Sequence, residues 1–195
     1  MHPTRPLHYQ INITLDGCGS HEVGVPDMAT HRFAAEAVAS HDLLFGRTTY
    51  ELMEFWRPLA KPGAAVPEGM EPWMMDFARD IDPAKKYLVS RTLKPGTELG
   101  WNTTLLPGDD ALEQSVRALK AQPGKPLLTG GITLAFDLAK LGLIDEYVFL
   151  VQPRIAGRGP YVFAGLANVV DLKLIDVKTF PASDCVALRY RPATG

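Results

Sequence analysis

The sequence predicts an α/β protein with a mainly parallel sheet. Three observations carry that prediction. Short apolar, β-branched runs alternate with stretches of helical spacing along most of the chain. The strand at 127–129 runs into Gly130-Gly131 and at once into a helical pattern, the signature of a strand-to-helix connection. The last two strands, 170–179 and 185–191, are separated only by the turn 181–184. That is too short for a crossover, so they pair antiparallel with each other.

The elements follow in order. Residues 8–15 alternate and contain Tyr, Ile and Thr, which predicts a strand. Residues 16–27 hold three glycines and a proline and read as a long loop, a kind of segment that is often functional. Residues 28–40 place Phe33, Ala34, Ala37 and Val38 at helical spacing. Residues 42–45 form a short buried strand that ends in Gly46-Arg47-Thr48-Thr49-Tyr50, with a short helix to Phe55. Four prolines mark 57–72 as a surface excursion before a short helix at 73–79. Strands are expected at 85–91 and 103–106. Asp109 or Asp110 can cap a helix over 111–121. A helix over 134–141 stops at Gly142, and 145–151 is an apolar strand closed by Pro153.

The chain has 195 residues, which suits one domain with a sizeable core. Its 20 basic and 22 acidic residues are scattered, which argues against a nucleic-acid partner. No apolar run approaches the ~20 residues needed to span a bilayer, and the first residues lack the apolar core of a signal peptide. Cys18 and Cys185 fit neither a disulfide framework nor a metal site, so free thiols in a cytoplasmic protein are expected.

Three strand exits share one chemistry. Gly46-Arg47-Thr48-Thr49 offers a cation and two hydroxyls, Ser90-Arg91-Thr92 a second such set, and Thr129-Gly130-Gly131 a bare backbone at a helix start. Ligands of open α/β sheets sit outside the carboxyl ends of strands, and phosphates bind at helix N-termini. Taken singly, each arginine also reads as a solvated surface charge and the glycine pair as a plain turn. Taken together, they suit a ligand with several phosphates, such as a dinucleotide carrying an extra ribose phosphate. The G-x-G-x-x-G fingerprint is absent, which excludes the doubly wound dinucleotide fold.

The motifs Leu15-Asp16-Gly17, Phe45-Gly46-Arg47-Thr48-Thr49-Tyr50-Glu51, Val89-Ser90-Arg91 and Gly130-Gly131 follow the order of the dihydrofolate reductase superfamily. Residues 143–147 and 153–159 resemble the reductase domain at the C-terminal end of the bifunctional riboflavin-biosynthesis deaminase/reductase, and its stand-alone relatives. The zinc ligands of the deaminase half have no counterpart here. The resemblance implies a dihydrofolate reductase-like mixed, mainly parallel sheet of about eight strands flanked by helices, with an antiparallel C-terminal edge. It implies NADPH as cofactor and a homodimer.

By family position, Gly46, Arg47, Thr48 and Thr49 would hold the pyrophosphate and adenosine side, and Ser90, Arg91 and Thr92 the 2′-phosphate. Gly130, Gly131, Ile132, Thr133 and Leu134 would meet the pyrophosphate across a cis Gly-Gly peptide. Ile11, Asn12, Leu15, Asp16 and Gly17 would lie near the nicotinamide. The implied activity is hydride transfer to a small planar heterocycle of the 5-amino-6-(5-phosphoribosylamino)uracil type. Asp16, Asp27 and Tyr50 are the candidate proton donors, with bound water. Asp27 reads equally as a helix cap.

Folate reductases carry a pterin-gripping carboxylate early in the first helix, and here that position falls near Thr30. Leu150 stands where a polar partner of that carboxylate would lie. His21, His31, Arg32, Arg154 and Arg158 are candidates for a substrate phosphate. Trp56, Trp73 and Trp101 stack on a flat substrate or pack in the core. Two alternatives stand beside the riboflavin-type reductase: a non-catalytic nucleotide- or flavin-binding module of the same fold, and a dihydrofolate reductase.

Overall fold

The computed structural model describes residues 4–94 and 96–193. Eight strands form one sheet: β1 Leu7–Thr14, β2 Asp42–Gly46, β3 Lys86–Ser90, β4 Thr103–Pro107, β5 Leu127–Thr129, β6 Glu146–Gln152, β7 Leu172–Thr179 and β8 Val186–Pro192. Five helices accompany them: α1 Met28–Ser40, α2 Arg47–Met53, α3 Met75–Ile81, α4 Leu112–Lys120 and α5 Thr133–Lys140. The strand order is β4-β3-β2-β5-β1-β6-β8-β7. All pairings among β1–β6 are parallel, while β8 is antiparallel to both β6 and β7. The expected mixed sheet with an antiparallel C-terminal edge is therefore present.

Parallel strands must be covered on both faces, and their sequences show it. The first four residues of β2 and all of β3 and β5 are buried. On one face, Leu7, Tyr9, Leu44 and Leu127 pack against Val116 and Leu119 of α4 and Ala135 and Leu138 of α5. On the other, Leu43, Phe45 and Leu88 pack against Val38 of α1, Tyr50 of α2 and Ile81 of α3. At the amino end of the sheet Arg5 is buried in an ion pair with Asp42 at 2.6 Å, and its Nε donates to the carbonyl of Lys125. Breaking a pair this buried costs about 3–5 kcal/mol.

Helix α1 has the expected bounds because Asp27 caps it: Oδ1 accepts the amide of Thr30 at 2.8 Å. The helix expected at 73–79 begins as a 3₁₀ turn, Pro72–Met74, and runs on as α3 to Ile81. Helix α4 starts at Leu112 with Ala111 at its N-cap and no side-chain cap, so neither Asp109 nor Asp110 caps it; Asp109 instead accepts the amide of Ala111 in the turn before the helix. Strand β6 lies inside the sheet between β1 and β8, and the edge belongs to β7. A register shift between Leu174 and Asp176 leaves Leu174, Ile175 and Val177 exposed on that edge. Cys18 and Cys185 are free and buried. No helix of the described residues is long and apolar enough to cross a membrane.

Candidate nucleotide site

Strands β3, β2 and β5 are parallel neighbours, so their carboxyl ends fall side by side on one edge of the sheet. The three strand exits singled out by sequence therefore converge on one cavity of about 670 Å³. Gly46, Arg47, Thr48 and Thr49 line it from β2, and Ser90, Arg91 and Thr92 from β3. Gly131, Ile132, Thr133 and Leu134 line it from β5. Gly130 lies one residue behind that wall.

The β5 exit is shaped by backbone. Gly131 has φ +80°, a conformation L side chains rarely adopt, and a Cβ there would collide with the Thr49 hydroxyl. The buried Tyr9 hydroxyl donates to the Gly131 carbonyl at 2.9 Å and fixes the turn. The Gly130–Gly131 peptide is trans, in contrast to the cis bond implied by the resemblance. Among the described residues the cis bond lies at Gly159–Pro160. No side chain caps α5, so its first amides are free where Ile132, Thr133 and Leu134 meet the cavity. Those amides and the helix dipole favour an anion there.

Cations and hydroxyls complete the lining. Arg47 is held by Glu51 at 2.6 Å, and its Nη1 donates to the Thr92 hydroxyl at 3.3 Å. Arg91 joins no ion pair among the described residues and is exposed. The Ser90 hydroxyl turns inward, accepting the amides of Thr92 and Leu93 at 3.2 Å each, so it shapes the turn that presents Arg91 and Thr92. Two arginines, several hydroxyls, free helix amides and a glycine where no Cβ fits together match a polyphosphate nucleotide.

His21, a candidate for a substrate phosphate, lines the cavity, and sequence reasoning missed other lining residues: Gly19 and Ser20 of the first loop, Leu52, Val89, Gly108, Leu112, Asp137 and Pro160. Gly108 follows the fourth parallel strand exit, and that pattern was the available signal. The loop over 16–27 is fastened to the end of β6 and the segment after it. Gln152, buried, accepts the amide of Val25 with its side-chain oxygen at 3.0 Å, and Arg154 donates to the Val23 carbonyl at 2.9 Å. The amides of Gly19 and Val162 reach the carbonyls of Pro160 and Gly17.

The expected nicotinamide-side residues sit beside the cavity and do not line it. Ile11 underlies Gly19 together with Ile132 and Val162. Asn12 is exposed although β1 is central to the sheet, and Leu15 is 64% exposed. Gly17 closes a turn in which its amide reaches the Thr14 carbonyl.

The three proton-donor candidates have other work. Asp16 accepts the Thr14 hydroxyl and the amides of Ala156 and Gly157. Those bonds, that from Thr14 foremost, hold its carboxyl down at about 2, so it is ionised and has no proton to give. Tyr50 is buried in the core against Trp101, its hydroxyl 3.3 Å from that of Thr103, because its place on α2 faces the sheet. Asp27 caps α1. Partial burial raises its pKa, but bonds from Thr30, Ser183 and Ala29 outweigh burial and leave it lowered.

Thr30 is buried, and its hydroxyl donates back to the Asp27 carbonyl. Leu150 is buried in a cluster with Ala29 and Phe33 of α1. His31 is packed edge-on against Trp56, Trp73 and Phe77, and neither it nor the two tryptophans line the cavity. Trp101 packs in the core. Arg32 and Arg158 are exposed, and neither lines the cavity.

The eight strands in this order, with cations, hydroxyls and helix amides gathered at the carboxyl edge, define an α/β fold with a candidate anion site. The chain belongs to one family within it: the RibD C-terminal domain model matches residues 6–186. It is 28% identical to the uncharacterized protein YyaP of Bacillus subtilis (strain 168), over 95% of this chain and 94% of that protein. Among solved structures, a pyrimidine reductase-like protein from Corynebacterium diphtheriae superposes with TM-score 0.67 at 14% identity, covering 98% of this chain and 93% of that one. The Thermotoga maritima diaminohydroxyphosphoribosylaminopyrimidine deaminase/5-amino-6-(5-phosphoribosylamino)uracil reductase gives TM-score 0.64 at 19% identity, with 97% of this chain spanning 57% of that one. Dihydrofolate reductase from Enterococcus faecalis, complexed with NADP(H), gives TM-score 0.62 at 13% identity over 97% of each chain. The dihydrofolate reductase-like fold expected from sequence is thus the observed one.

Proposed function

We propose that the chain is an NADPH-dependent reductase that transfers hydride to a small planar heterocycle of the aminouracil ribose-phosphate type. One observation carries the reading: three adjacent parallel strand exits deliver Arg47, Arg91, hydroxyls and free α5 amides to a single cavity. Bound NADPH would supply the hydride. Arg91 and Thr92 would hold the 2′-phosphate, while Thr48, Thr49 and the α5 amides would hold the pyrophosphate. Ile132, beside Gly19, gives the nicotinamide side an apolar contact. The test is titration of the protein with NADPH and NADH. Micromolar binding that favours NADPH supports the reading, and no saturable binding of either refutes it.

Dihydrofolate is expected to be a poor substrate. Thr30, its hydroxyl turned back to the helix, and the buried Leu150 offer no charge-assisted pair to a pterin edge. Asp27 keeps its carboxylate on the α1 amides. NADPH oxidation is the assay, with dihydrofolate beside an aminopyrimidine ribose-phosphate acceptor. Turnover of dihydrofolate at an ordinary enzymatic rate, lost in Asp27→Asn, would overturn the assignment.

A second reading is favoured by the commitment of Asp16, Asp27 and Tyr50 elsewhere: a nucleotide-binding module without turnover. In the reductase reading, bound water, the remaining candidate named from sequence, would deliver the proton. NADPH consumption with a heterocyclic acceptor separates the two.

The reading includes a cytoplasmic homodimer. The exposed apolar side chains of β7 lie near a groove of about 330 Å³ lined by Tyr147, Phe149, Phe163, Leu166 and Leu172. A sheet edge of this kind suits an isologous contact. A monomeric mass by light scattering at micromolar concentration would exclude it.

A further inference from the structure

We propose that Asp137 reads the adenine base of the nucleotide, and thereby sets both base specificity and the direction in which the dinucleotide lies. The inference rests on the nucleotide reading above. Asp137 sits on the second turn of α5, half-buried, and lines the same cavity as Arg47 and Arg91. Among the described residues no cation pairs with its carboxylate.

A carboxylate in a phosphate cavity repels phosphate, so the phosphates lie away from the second turn of α5, at the helix's first amides and with Arg47, Arg91 and Thr92. What lies beside Asp137 is a neutral part of the ligand with a hydrogen to donate, because an ionised carboxylate only accepts. The neighbouring lining is apolar. Val89 and Leu112 reach the cavity from the end of β3 and the start of α4, and Leu134 from α5. Such side chains suit the faces of a flat ring, and the acid then meets the ring's edge.

Adenine carries an amino group on that edge. Hypoxanthine carries a keto oxygen in the same place, and its lone pairs face those of the acid. The ribose is the poorer choice of neighbour, because its 2′-phosphate would bring a second anion to Asp137. Phosphates toward the arginines and base toward Asp137 leave one orientation for the nucleotide.

The test is a set of dissociation constants, by calorimetry, for NADPH and for its counterpart with hypoxanthine in place of adenine. The wild-type protein is expected to bind NADPH about tenfold more tightly than the keto analogue, the worth of one hydrogen bond to a charged group. Asp137→Ala removes that preference. Asp137→Asn keeps the shape of the side chain, and its amide can turn a donor toward the keto oxygen, so the preference levels or reverses. A ratio unchanged in both variants overturns the proposal, as does an equal loss for both nucleotides. A wild-type protein that binds neither nucleotide overturns the reading of the cavity itself, and the base assignment with it.

Discussion

Replacing Gly131 by alanine adds one methyl group at the tightest point of the phosphate wall. Its effect can be worked from two contacts. At φ +80° an L residue is strained by roughly 1–2 kcal/mol. The new Cβ collides with the Thr49 hydroxyl, and turning Thr49 off its rotamer adds about 0.5–1.5 kcal/mol. The sum, about 1.5–3.5 kcal/mol, is smaller than the roughly 5–15 kcal/mol that holds a domain folded. The variant therefore folds, with Tm lowered by about 5–10 °C.

Binding suffers more, because Thr49 and the α5 amides face the pyrophosphate. Losing one charge-assisted hydrogen bond there weakens NADPH by about tenfold to a hundredfold. Quenching of protein fluorescence by NADPH measures this, with thermal unfolding in parallel. Gly142→Ala is the control. Gly142 has φ +63° in open space, so it should lose stability and keep its affinity. A folded Gly131→Ala protein with wild-type affinity would refute the reasoning.

Two further outcomes are expected. Arg91→Ala should weaken NADPH by about tenfold to a hundredfold and leave NADH unchanged, because the lost partner is a phosphate that NADH lacks. Equal losses in a parallel titration would remove Arg91 from the 2′-phosphate. Stability should fall as pH drops below about 6.5. Burial holds His8, His31 and His41 below their usual value, so the unfolded chain takes up protons first. The stabilisation is complete above 6.5 and is lost as pH falls through the lowered native values. His41 donates Nδ1–H to the Ala37 carbonyl at 2.7 Å, and its Nε2 meets His8 Nδ1 at 2.9 Å, a contact that cannot survive protonation of both rings. Urea midpoints at pH 7.5, 6.5 and 5.5 test this, and a midpoint that holds or rises on acidification would contradict it.

Local signals carried most of the fold. Asp27 marks the start of α1 because a cap is a short-range device, and the alternation of elements marks a parallel sheet. The Arg47, Arg91 and Gly131 exits were legible for the same reason: each is written within a few residues. Adjacency was not legible. Nothing near Asp137, Leu112 or Gly19 in the chain says that they face Arg91, since strand order alone brings them together. Orientation was the other gap. Tyr50 and Asp16 carry suitable groups, but one turns into the core and the other is consumed by the amides of Ala156 and Gly157.

The loop after β1 is pegged at several points, by Gln152, Arg154, Pro160 and Val162, and each peg reaches the 152–162 segment. Roof and phosphate wall are thus separate pieces of masonry that meet along a dry joint under Gly19 and Ile132. Remodelling one leaves the other standing. A graft that lengthens or recharges the roof would reset what stacks beneath it, while the wall, built into the sheet by Tyr9 and Gly131, keeps its grip.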